Sequence, residues 1–170
     1  MDIFISHKTE DKSEALHAKN FLEERGFTTY LAVLDDVISI EKDVSAYLRT
    51  KIENHTNLLV IMTENTKESW WVPFEVGVAT ECDKKIATAY YFNADKTKLA
   101  SFLRKWPVID AEAKFQQYAE YVKKDRKVVL NEAQSLMKSA SVTASAKDKL
   151  QKSQRTSDIF HEVLKINFGQ

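Results

Sequence analysis

The run NLLVIM at residues 57–62 constrains the fold more than any other segment. It is apolar without alternation from Leu58 to Met62, the pattern of a central strand in a parallel sheet covered on both faces. Parallel neighbours must be joined by crossovers, and the flanking sequence supplies helices for them. Before it, MDIFIS reads as a short buried strand, and Ala15, Leu16, Ala18, Phe21 and Leu22 recur at helical spacing until Gly26 supplies a stop. FTTYLAV is β-branched and aromatic, hence a second strand, and VSAYLRTKIEN puts Val44, Tyr47, Leu48 and Ile52 on one helical face. After it, VPFEVGVATECD reads as a short helix with Pro73 near its start, KIATAYYF as a strand, and WPVID at 106–110 as a last edge strand. The expected class is α/β, a flavodoxin-like three-layer sandwich with a central parallel sheet. From Ala111 the chain is helix-prone, with Phe115, Tyr118, Tyr121, Val122, Val128, Val129 and Leu130 expected to be buried. A polar stretch, KSASVTASAKDK, separates this segment from a final helix ending in DIFHEVLKINF.

A length of 170 residues with 44% hydrophobic content fits one globular domain. The single cysteine, Cys82, excludes an internal disulfide framework and a multi-cysteine metal site, and the four histidines show no ligand spacing. No basic region leads into an apolar signal core, and no stretch approaches the roughly 20 apolar residues that span a bilayer. A cytoplasmic protein that contacts no membrane is expected. Zero net charge removes the electrostatic footprint of a nucleic-acid binder. The halves nevertheless differ, with 8 Lys/Arg against 16 Asp/Glu in residues 1–83 and 17 against 9 in residues 84–170. Two readings stand: differently solvated faces of one sheet, or an acidic and a basic face that favour head-to-tail self-association.

Three glycines cannot assemble a Gly-rich phosphate loop, and no G-x-S-x-G elbow is present. Ser6 and His7 are sequence neighbours, which says nothing about a triad, and Cys82 reads as a packed thiol. Glu75 is the unusual group, one carboxylate within the apolar run SWWVPFEVGVA. A buried unpaired carboxylate is costly or takes up a proton. In the first two turns of a helix, the positive end of the macrodipole favours its ionised form. Trp71, four residues earlier, shares its helical face. From spacing alone, Glu75 is either a site carboxylate beside an aromatic wall or a helix charge that points to solvent.

DIFISHKTED, TYLAVLDD, NLLVIMTENT and SWWVPFEVGVA occur in an order and spacing that resemble the Toll/interleukin receptor (TIR) domains, in particular the bacterial stand-alone branch of the anti-phage Thoeris type. The match covers residues 2 to 92. It implies a TIR domain at 1–110 and a C-terminal helical extension at 111–170. It also implies an enzyme that cleaves NAD at the nicotinamide N-glycosidic bond, with an ADP-ribose-derived signal that acts on a downstream effector. By resemblance Glu75 takes the catalytic position and Trp71 the aromatic position of a W-x-x-x-E motif. Phe4, Ser6, His7 and Lys8 lie where the first loop approaches substrate; for Lys8 the alternative is a solvated loop lysine. Leu34, Asp35 and Asp36 fall in the loop that gates the site and touches other subunits; here it reads LDDVISIEKD, without glycine or proline. Tyr30 and Tyr47 read as packing rather than ligands. NAD is expected as substrate, with no cofactor and no metal, and self-association through TIR contacts. Two alternatives are a non-catalytic TIR interaction module and a nucleoside deoxyribosyltransferase-like enzyme.

Overall fold

The computed structural model describes residues 2–31, 42–90, 100–138 and 146–170. Within them the order is β1 (Ile3–Ser6), α1 (Lys12–Glu23), β2 (Thr29–Leu31), α2 (Val44–Glu53), β3 (Asn57–Met62), α3 (Trp71–Glu81), β4 (Lys85–Tyr90), β5 (Val108–Ile109), α4 (Glu112–Lys138) and α5 (Ala146–Phe168). All strand pairs are parallel, in the order β2-β1-β3-β4-β5. NLLVIM is the middle strand and is buried along its whole length, which explains its missing alternation. The chain winds outward from β1 to β2 and then returns to place β3 on the other side. The carboxyl ends of β1 and β3 therefore border the crevice in which such sheets bind ligands.

Side chains alternate between two cores because strand residues point to opposite faces. One core joins Ile3, Ile5, Leu59 and Ile61 to α1 and to Phe115, Tyr118, Phe160 and Leu164 of the two C-terminal helices. The other joins Phe4, Leu58, Val60 and Met62 to Leu48 and Ile52 of α2 and to Val72 and Val76 of α3. Each such side chain, fully buried, contributes about 1.5–3 kcal/mol. Ser6 follows Phe4 by two residues, so it faces α2 and α3.

The last helix is tied to the sheet by polar as well as apolar contacts. His161 Nε2 accepts the Ile86 N–H at 2.9 Å, and burial pushes this imidazole down to about 4, which keeps the acceptor neutral. At the edge strand, Gln170 Oε1 accepts from Val108 N at 2.9 Å and its Nε2 donates to Val108 O at 2.6 Å. One amide side chain thus satisfies backbone groups that a further strand would otherwise claim.

Leu16 is 40% exposed, because Ala15, Ala18 and Leu22 already fill the core face of α1. One expectation about burial is corrected. Val128 is 56% exposed because α4, at 27 residues, is about 40 Å long against about 20 Å for the longest strands, and outruns the sheet. Val129 and Leu130 lie outside the residues whose side chains are described, and Ala32, Val33, Tyr91 and Phe92 lie outside the described residues. Among the described residues no helix is long and apolar enough to cross a membrane.

Candidate active site

The helix that carries Glu75 begins with a local cap. Ser69 Oγ accepts from Val72 N at 3.2 Å, and Pro73 stands in the first turn of α3, where its missing N–H leaves no carbonyl unpaired inside the helix. Val72, Glu75, Val76 and Ala79 form the buried face. Glu75 is thereby turned inward with 1% exposure, not toward solvent. Its Oε2 accepts a short hydrogen bond from the Ser6 hydroxyl at the end of β1. Its Oε1 is buried and has no partner among the described residues. Burial pushes the carboxyl up to about 8, against a smaller lowering by Ser6. Desolvation thus outweighs the hydrogen bond from Ser6, and the influence of the helix dipole falls off beyond the first turn.

Trp71 is half-buried on the same flank, edge-to-face with Phe74 at a centroid distance of 5.8 Å. Phe4, two residues before Ser6 on the same face of β1, lies wholly within the core, its ring 5.3 Å from Tyr30 and 5.8 Å from His55. The Tyr30 and Tyr47 hydroxyls are 2.9 Å apart, with Lys51 Nζ 5.2 Å and 5.1 Å from the two ring centroids. Burial raises the Tyr30 phenol first, followed by its bond to Tyr47 and by the charge of Glu75. Tyr30, read from sequence as packing, therefore also puts its hydroxyl within electrostatic reach of Glu75.

The loops after β1 and β3 are stapled together by a second carboxylate. Asp11, 2% exposed, accepts from Thr63 Oγ1 at 2.8 Å through one oxygen and from Asn65 Nδ2 at 2.6 Å through the other. No sequence signal pairs residues 52 and 54 positions apart, which is why this group was not foreseen. Thr63 also accepts from Asn65 N at 3.0 Å and opens a capping box with Thr66.

His7 is buried beside this staple, with Nδ1 lacking a partner among the described residues, and burial lowers its pKa most. Lys8 Nζ pairs with Glu10 at 3.2 Å and Glu68 at 3.7 Å. The structure thus brings Ser6 and Glu75 into contact, with Trp71 on the flank, and engages Lys8 with neighbouring carboxylates. Leu34, Asp35 and Asp36 lie outside the described residues. Among the described residues no group of three His, Cys, Asp or Glu side chains could hold a metal ion. The arrangement offers a single desolvated carboxyl with one oxygen fixed and the other without a partner among the described residues, at the switch point of a parallel sheet.

A family model described as the TIR domain matches residues 3–124. Among curated proteins, the chain is 29% identical over 90 residues to a probable 3′ cyclic ADP-D-ribose synthase, ThsB′, of Bacillus cereus (strain MSX-D12). That stretch is 51% of this chain and 47% of the relative, so the match spans about half the length of the curated protein. Among solved structures, the TIR domains of the activated Roq1 resistosome that recognises the pathogen effector XopQ align with a TM-score of 0.45 and 16% identity, over 96% of this chain and 83% of that one. With the family model covering well over half of its length, the chain belongs to the TIR domain family.

Proposed function

We propose that this TIR protein consumes NAD, cleaving the N-glycosidic bond to nicotinamide and forming an ADP-ribose-derived signal for a downstream effector of bacterial anti-phage defence. The observation that carries this reading is Glu75, buried, with Oε2 held by Ser6 and Oε1 without a partner among the described residues. The similarity to a probable cyclic ADP-ribose synthase supports it.

The chemistry needs only one carboxylate. Nicotinamide is bound to the ribose through a cationic ring nitrogen, so when the bond breaks its electron pair returns to that nitrogen and nicotinamide departs neutral. No acid has to protonate the leaving group, in contrast to most glycosidases. Positive charge passes to the sugar as an oxocarbenium-like transition state, which a fixed carboxylate stabilises while it accepts hydrogen bonds from the ribose hydroxyls. An oxygen nucleophile, from water or from the substrate itself, then bonds to the anomeric carbon and loses its proton. In the resting site the raised pKa keeps Glu75 largely protonated at neutral pH. The cationic ring of incoming NAD favours the ionised form.

A second reading, a docking module for other TIR domains, is favoured by Trp70, which is 89% exposed at the head of α3. Mass spectrometry of small molecules after incubation of the purified protein with NAD separates the two. Free nicotinamide with an ADP-ribose-derived companion is expected; intact NAD beside a protein that self-associates would favour docking.

A further inference from the structure

The geometry points to Ser6 as a positioning residue for Glu75, one that fixes Oε2 and leaves Oε1 as the oxygen offered to substrate, with no contact of its own to the substrate. The inference rests on the proposed NAD chemistry and assigns Ser6 a different role from the substrate contact implied by family resemblance.

Ser6 has no exposed surface and stands in register with Val60 at the end of β1. A hydroxyl placed there among apolar neighbours costs free energy unless it is hydrogen-bonded. Its bond to Glu75, 69 residues away, meets that need, and it joins the first strand directly to the helix after the third. The same bond removes rotational freedom from the carboxyl. A Glu side chain with both oxygens loose presents its plane in several orientations; with Oε2 held, Oε1 is the oxygen left without a partner and is turned to accept from a sugar hydroxyl. A hydroxyl also suits a carboxyl that changes protonation during turnover, because it can donate to the anion or accept from the acid.

The surroundings contain few other charges that could do this. From β2, Tyr30 feels the charge of Glu75, and its hydroxyl is engaged by Tyr47 of α2. On α3 itself the other acidic residue is Glu81, at the far end of the helix. From the loop after β1, His7 is held largely neutral by burial, while Asp11 is bound to Thr63 and Asn65. Asp35, Asp36 and Glu41 lie outside the described residues.

The test compares the parent with Ser6→Ala and Ser6→Cys, the latter close in size and a weak donor, so that it carries the comparison if the alanine variant fails to fold. Infrared titration of the protonated Glu75 carbonyl stretch, identified by its loss in Glu75→Gln, needs no substrate. Its midpoint is expected to rise in the order Ser, Cys, Ala; an unchanged midpoint in a folded variant overturns the inference. With NAD, kcat is expected to fall roughly tenfold to a hundredfold in Ser6→Ala with KM little changed, the signature of an interaction expressed in the transition state. A raised KM with kcat retained would make Ser6 a substrate contact and overturn it as well. If the parent leaves NAD intact, the proposed reaction fails, while the infrared order still decides whether Ser6 governs Glu75.

Discussion

Two buried carboxylates stand at the carboxyl edge of the sheet, and the structure treats them differently. Asp11 has partners on both oxygens, Thr63 and Asn65, and joins two loops. Glu75 has a partner on one oxygen and keeps the other buried and without a partner among the described residues. Buried polar groups are nearly always satisfied, so a fully satisfied carboxylate reads as structure and a half-satisfied one as a site awaiting a ligand. Burial alone does not separate them, since both are almost fully enclosed. The count of hydrogen bonds does.

The largest effect is expected in Glu75→Gln, which keeps the shape and the contact with Ser6 but removes the charge. Nicotinamide release from NAD is expected to fall by about a hundredfold or more, with the circular dichroism spectrum unchanged. The same variant sharpens the comparison through stability. Burial holds the folded carboxyl up at about 8, above the ordinary value of 4.5, so the contribution of Glu75 to stability is fully present below that ordinary value and is lost as pH rises through about 8. Thermal unfolding should therefore show Glu75→Gln stabilised relative to the parent by roughly 4 kcal/mol at pH 8, and the difference should vanish toward pH 4.

Asp11→Asn should do the reverse, weakening the fold at neutral pH by about 1–3 kcal/mol because the amide cannot accept at both positions. The infrared midpoint of Glu75 should stay where it is in that variant. The smallest effect is expected at His161, whose pKa is depressed by burial from 6.5 to about 4. Its contribution is present above pH 6.5 and is lost as pH falls toward 4, the opposite slope to Glu75. In His161→Gln, which retains an acceptor for Ile86, unfolding midpoints should depend less steeply on pH across that interval.

Much of the sheet was legible because its signals are local. NLLVIM declares a strand covered on both faces, and Gly26, with φ of 82°, ends α1 where a side chain would be strained. Glu75 was legible as an anomaly of composition. Contacts over long sequence separations were not: nothing in HKTED or TENT announces that Asp11 meets Thr63 and Asn65. The Ser6 hydroxyl gave no sign that it would reach Glu75 rather than a substrate. Lys8 was read as lying where the first loop approaches substrate or as a solvated lysine; that it stands between Glu10 and Glu68 is something three-dimensional proximity alone reveals. Val128 misled because periodicity marks an apolar face without saying how far the sheet beneath it extends.

The most direct measurement is the rate of nicotinamide release from NAD between about pH 6 and about pH 9, taken as kcat/KM for the parent and for Glu75→Gln in parallel. The parent's rate is expected to climb with a midpoint near 8, as the buried carboxyl ionises, and the Gln variant to show no such limb. A Gln variant as fast as the parent across that range would contradict that expectation.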